Sequence, residues 1–190
     1  MPTARVRSAV VVALLGALVF VGGSHAAAAE LATEPEEGWF PLPSRQASGD
    51  AEQSTGALIG SVSIPAIGVE ESLRSGVALD VIDQGPAHWV GTAQPGQSGN
   101  VVVAGHRSTH SAPFRDLDRL MAGDVVVVSD AAGFEMIYRV TETFIVTPDA
   151  IWITYDNGEP MLTLFACHPL RSSAQRIVVR AELVAGRPLA

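Results

Sequence analysis

The single cysteine of this 190-residue chain, Cys167, closes the apolar run LTLFA and stands directly before His168 and Pro169. One cysteine cannot form an internal disulfide, so its presence is explained by burial, by a partner chain or by thiol chemistry. Thiol chemistry needs a thiolate, and a thiol of ordinary pKa, about 8.5, is only a few per cent ionised at neutral pH. A neighbouring cation raises that fraction, and an acid or base within reach completes an acyl-transfer site. Two residues qualify. His106 follows the buried run NVVVAG, where a rigid strand hands over to a loop. Arg176 stands nine residues after Cys167 at the head of RIVVRAELV, and the intervening HPLRSSAQ lets that run fold back as a hairpin. The guanidinium would then lie beside the thiol and could bind a developing oxyanion. Arg171 carries the same charge but sits in PLRSSA, a turn-like segment with little to position it.

Competing readings attach to the same residues. Free cysteine is among the most buried residue types, so an inert core thiol in a non-enzymatic β-domain is the opposing class. His168 adjoins the cysteine, but neighbours on a strand point to opposite faces, and it reads as a loop residue packed by Pro169. His106 and His110 are four apart and with Cys167 would make three zinc ligands. The intervening RST and the following SAP suit a loop, and no HExxH glutamate is present, so no metal is expected. Arg107 reads as a solvated charge, and His88 with Trp89 as filling for a sheet or barrel wall.

Short β-like runs separated by turn residues must position these groups: LIGSVSI, NVVVAG, DVVVVS, FEMIYRVTETFIV, MLTLFA and RIVVRAELV. Apolar and polar residues alternate in several of them, and Asp130 to Gly133 and Asp156 to Gly158 supply turn chemistry. The spacing of Phe114, Leu117 and Leu120 or Met121 predicts one short helix over Pro113 to Met121, stopped by Gly123. The expected class is all-β, most economically a closed barrel with a helical insertion, since closure removes exposed edges. There is no internal repeat and no glycine-rich phosphate loop.

The N-terminus has a different character. Arg5 and Arg7 precede an apolar run, and no charged residue occurs from Ser8 to Ala29. A helix of that length is about 33 Å long, enough to cross a bilayer. Residues 1–29 are therefore expected to be a membrane anchor, or a secretory signal if the small residues around Ala26 to Ala29 are cleaved. The arginines place the N-terminus in the cytoplasm and the remainder outside the cell. Residues 30–57, rich in Pro, Glu, Ser and Gly, are expected to be a disordered tether leading to a domain over 58–190. Trp39 and Phe40 within it read as resting on the domain surface. All twenty acidic residues lie at or beyond Glu30, against ten arginines and no lysine, so nucleic acid is a poor partner.

The ordered combination of IPAIGVE, PAHWVGTAQPGQSGNVVVAGHR, APFRDLDRLMAGD and TLFAC with Arg176 nine residues on resembles the sortases, cysteine transpeptidases of Gram-positive surfaces. The resemblance is to class E members of high-GC species and runs from about Leu58 to Leu183. It implies an eight-stranded β-barrel with His106, Cys167 and Arg176 as catalytic residues and no cofactor. It also implies His110, Ala166 and Thr163 as candidate substrate-binding residues. Ala166 stands where the family usually has threonine, and His110 where class E members commonly show tyrosine. The implied reaction cleaves an LAxTG-like or LPxTG-like C-terminal sorting signal between Thr and Gly through a thioacyl enzyme. The partners would be surface proteins or pilins bearing that signal and an amine acceptor such as a lipid-linked peptidoglycan precursor.

Overall fold

The computed structural model describes residues 56–186. The apolar segment 1–29, nearly all of the tether, Trp39 and Phe40 lie outside the described residues. Eight strands are present: β1 (Leu58–Ile64), β2 (Val69–Ser75), β3 (Ala87–His88), β4 (Asn100–Ala104), β5 (Val125–Asp130), β6 (Glu135–Val146), β7 (Met161–His168) and β8 (Gln175–Ala185). They close into a barrel in the order β1-β2-β3-β4-β7-β8-β6-β5. Pairing is antiparallel except for β2 with β3 and β4 with β7, which run parallel.

Side-chain alternation sorts the apolar residues into two cores. Leu162, Leu164 and Ala166 of β7 point inward with Ile177, Val179 and Ala181 of β8, Val101 and Val103 of β4, and Phe114 and Leu117 from the loop after β4. Phe165, Val178, Val102 and Ala104 point outward and are covered by Val81, Ile82, Trp89 and Ile153. Strands apolar on both faces read as continuous runs rather than alternations, which is why NVVVAG and LTLFA carry almost no polar residue. The outer cover comes from a single-turn helix, α1 (Leu79–Ile82), and a 3-10 turn at Ile151–Thr154.

The helix expected over Pro113 to Met121 is reduced to a 3-10 turn at Leu117–Arg119. Its apolar face is real, for Phe114, Leu117 and Leu120 are buried together, while Met121 is exposed. The amides that follow bond three residues back, Leu117 to Phe114 at 3.4 Å, Arg119 to Asp116 at 2.9 Å and Leu120 to Leu117 at 3.2 Å, the tighter 3-10 pattern, while Phe114 N–H donates to the His106 carbonyl at 3.0 Å and ties the segment to the β4 exit. Asn100 fastens the outer cover. Its amide nitrogen donates to the carbonyls of Ile153 and Tyr155 at 2.9 and 3.2 Å, and its oxygen accepts from the Thr163 hydroxyl at 2.8 Å.

All three bonds are lost in Asn100→Ala, which leaves polar groups orphaned beside the second core. We expect a loss of about 2 to 3 kcal/mol, against about 1 kcal/mol for Thr163→Val, in urea unfolding followed by tryptophan fluorescence.

Candidate active site

Strand register assembles the chemistry-bearing residues. The last parallel pair of β4 with β7 is Ala104 opposite Phe165, and two residues beyond each stand His106 and Cys167. In the antiparallel pairing of β7 with β8, Cys167 lies directly opposite Arg176. Directly opposed residues share a face. Two steps from Phe165 and from Val178, both outward, Cys167 and Arg176 stand on the outer surface of the barrel. Sequence reasoning placed Arg176 beside the thiol by hairpin pairing, and the register does the same. Gly105 permits the hand-over to His106: a Cβ there would lie 2.5 Å from the Phe114 ring, and its amide donates to the Phe165 carbonyl at 3.2 Å.

The His106 ring is nearly buried, with its Nε2 2.8 Å from Asp83 Oδ1. His110 Nδ1 lies 3.3 Å from the same oxygen, and the two imidazoles stack with centroids 4.9 Å apart. A carboxylate on one ring nitrogen fixes the orientation of a histidine. Asp83, the residue after α1, was missed in the sequence because nothing in DVIDQG marks a four-residue helix or aims a side chain at His106. His110 adopts φ 54°, an uncommon conformation in which asparagine, aspartate and histidine are enriched among non-glycine residues, and its ring lies back on His106.

Arg107 is not a solvated charge. It is 2% exposed, and its guanidinium reaches three partners: the Arg115 carbonyl at 3.1 Å, His168 Nδ1 at 2.7 Å and Asp118 Oδ2 at 2.8 Å. A guanidinium only donates, so His168 accepts through Nδ1 and carries its proton on Nε2. His168 is thus the last residue of β7 with a defined partner, not a loop residue packed by Pro169. Arg107 thereby ties the residue after His106 to the residue after Cys167 and sets the spacing between them. His88 lies in β3, fully buried, with Nε2 2.8 Å from the Ala93 carbonyl; burial pushes its pKa down and keeps it neutral.

Cys167 is half-buried at a groove of about 450 Å³ lined by Leu79, His106, Arg107, Thr109 and Arg171 among others. Burial pushes its thiol pKa above the ordinary value, and the Arg176 charge offsets part of that rise. Arg176 is itself buried, its Nη1 donating to the carbonyls of Ser173 and Gln175 at 2.8 and 2.9 Å. Arg171 differs from its expected looseness. Its amide donates to the Ser108 hydroxyl at 2.8 Å, its φ is 64°, and its exposed side chain borders the groove. Thr163 and Ala166 do not present their side chains there. Thr163 is buried against Asn100, and Ala166 points into the barrel core.

The sequence model of one protein family, described as Sortase domain, matches residues 62–184, more than half of the chain. Sortase SrtE1 of Streptomyces coelicolor is 27% identical over 181 residues, covering 87% of this chain and 50% of that protein. Sortase A of Bacillus anthracis is 32% identical over 129 residues, covering 67% and 60%. The chain therefore spans only half to three fifths of these relatives. The crystal structure of Sortase E1 from Streptomyces coelicolor with a tripeptide in the active site superposes with a TM-score of 0.66 at 26% identity, covering 72% of this chain and 93% of that one.

The thiol's surroundings set a pH dependence. Because burial is the larger influence and disfavours the thiolate, alkylation of Cys167 by iodoacetamide should rise with pH along a titration whose midpoint lies above that of a free thiol. Arg176→Gln removes the charge that favours the thiolate and should move the midpoint higher still. A midpoint below the ordinary thiol range would contradict this reading.

Proposed function

The chain belongs to the sortase family and resembles its class E members, and from that premise we propose that it is a cysteine transpeptidase acting on a C-terminal sorting signal. The observation that supports this most directly is the row formed by His106, Cys167 and Arg176 across three adjacent strand ends. The Cys167 thiolate attacks the carbonyl of the Thr–Gly bond, and the electron pair moved onto the carbonyl oxygen is stabilised by the Arg176 guanidinium. Collapse of the tetrahedral adduct expels the glycine amine, which takes a proton from His106 as imidazolium, leaving a thioester on Cys167. An incoming amine then attacks that thioester, with neutral His106 accepting its proton, and the thiol is released.

The raised thiol pKa bears on the choice of acid and base. A thiolate stabilised mainly by Arg176 is the minority form at neutral pH, but it is the reacting form, and the Asp83 carboxylate holds the His106 ring in place beside it. The groove beside Cys167 is bordered by Thr109 and Arg171, with Asp83 and His110 next to His106. An LAxTG-like signal, with a small residue where LPxTG carries proline, is the proposed preference. The acceptor amine is proposed to come from a peptidoglycan precursor or a pilin subunit. The apolar segment 1–29 is proposed to hold the catalytic domain at the outer face of the cell membrane, or to release it if cleaved.

Intact mass spectrometry with a panel of sorting peptides tests the proposal. Wild type should gain the mass of the acyl fragment, and Cys167→Ala should gain nothing while folding normally. Losing one preorganised oxyanion donor costs about 10²- to 10³-fold in rate, so Arg176→Ala should lose that much single-turnover acylation. Arg176→Lys should recover little, because an ammonium lacks the planar fork. Arg171→Ala, which only borders the groove, should stay within a few-fold of wild type. Equal losses at Arg171 and Arg176 would reassign the oxyanion donor, and a thiol that reacts only after unfolding would overturn the enzyme reading.

A further inference from the structure

His106, Asp83 and His110 offer one donor atom each, and the three atoms lie within 4.8 Å of one another. We propose that this cluster is a binding site for a first-row transition metal of the zinc type, and that metal bound there silences the active site by occupying His106. The silencing rests on the transpeptidase reading above, whereas the binding does not.

The donor set and its geometry carry the inference. Two imidazoles and one carboxylate, with further positions open to water, are the ligand number and kind that zinc takes at three-ligand sites, with bonds of about 2.0 to 2.2 Å. Tetrahedral geometry at those bond lengths asks for donors roughly 3.3 Å apart. Here Asp83 Oδ1 is 2.8 Å from His106 Nε2 and 3.3 Å from His110 Nδ1. With the three donor atoms within 4.8 Å of one another, binding draws them together by up to about 1.5 Å, and the movement falls on the more exposed partners. His106 is nearly buried, while the Asp83 and His110 side chains are 38% and 47% exposed and lie on the solvent side. His110 is held at φ 54°, an unusual backbone, in the loop after β4, and its ring lies over His106. Its chemical alternative was a zinc site built from His106, His110 and Cys167; in the structure the third donor is Asp83, and the thiol stays in the groove.

On binding, the Nε2 lone pair of His106 goes to the ion, metal bonds replace the hydrogen bond to Asp83, and the ring keeps its one proton on Nδ1. His106 then holds a metal at the nitrogen that faced Asp83, and the ion's positive charge bars the ring from taking up a further proton. Neither half-reaction can use it as acid or base. The thiol and the groove remain as they were.

The test uses tag-free full-length protein and Co²⁺ alone as the spectroscopic probe for the zinc site. One equivalent should bind with visible ligand-field bands and without the intense thiolate-to-metal absorption. Asp83→Ala and His110→Asn should each abolish the bands, with circular dichroism and thermal midpoint confirming the fold; asparagine tolerates the positive φ. Cys167→Ala should bind Co²⁺ as wild type does, since the thiol is no ligand. Micromolar Zn²⁺ should slow acylation by a sorting peptide at least about tenfold in wild type, with full recovery on adding EDTA. Loss of cobalt binding in Cys167→Ala, or weak binding of several equivalents indifferent to Asp83 and His110, overturns the site. Binding that leaves acylation unchanged overturns the silencing. One-equivalent binding in a protein that no sorting peptide acylates sustains the metal site and instead defeats the transpeptidase reading.

Discussion

The parallel pairing of β4 with β7 is the constraint on which the rest of the arrangement depends. Most neighbours in this barrel are antiparallel, and an antiparallel pair places the exit of one strand beside the entrance of the next. A parallel pair places two exits side by side. Here those exits carry His106 and Cys167, and the hairpin that follows returns Arg176 to the same end. Parallel strands also need a long crossover, and the chain between β4 and β7 supplies it as the β5–β6 hairpin, which goes on to close the barrel on its far side.

Holding that end together falls to polar groups that are buried for the purpose. Arg107 spans from the residue after His106 to the residue after Cys167, with Asp118 compensating its charge. An unpaired guanidinium at that depth would be costly, so the network must form complete or not at all. The same burial that makes the framework firm disfavours the thiolate, and Arg176 offsets this only in part. A firm position for the thiol is thereby favoured over a high standing fraction of thiolate.

Much of the fold was legible because strands apolar on both faces leave unbroken runs, and every run marked in the sequence lies in a strand. The juxtaposition of Cys167 and His106 was legible for the same reason, since they lie at the ends of two such runs. β2 escaped notice because Val69 and Leu73 are its only apolar residues and Glu71 interrupts the alternation between them. β3 is two residues long and gives no period at all. The helix over Pro113 to Met121 is replaced by 3-10 turns although its apolar spacing was right, because the same residues can be buried by i→i−3 bonding and apolar spacing does not tell the two apart. Asp83 and the bond from Arg107 to His168 were illegible in principle: the partners are 23 and 61 residues away, and side-chain pairing over such distances leaves no local pattern.

The filled interior of the barrel has a consequence for how such a protein can change over generations. Its interior is filled by apolar side chains, and the groove beside Cys167 lies on the outside, bordered by α1, the loop after β4 and the loop between β7 and β8. Of these, only the loop after β4 enters the inner packing, through Phe114, Leu117 and Leu120. Substitutions, insertions and exchanges on the exposed parts of those segments can reshape the groove while the strand register that aligns His106, Cys167 and Arg176 is inherited intact. The molecule separates what must stay fixed from what is free to diverge, and it does so by the two faces of the same three strands.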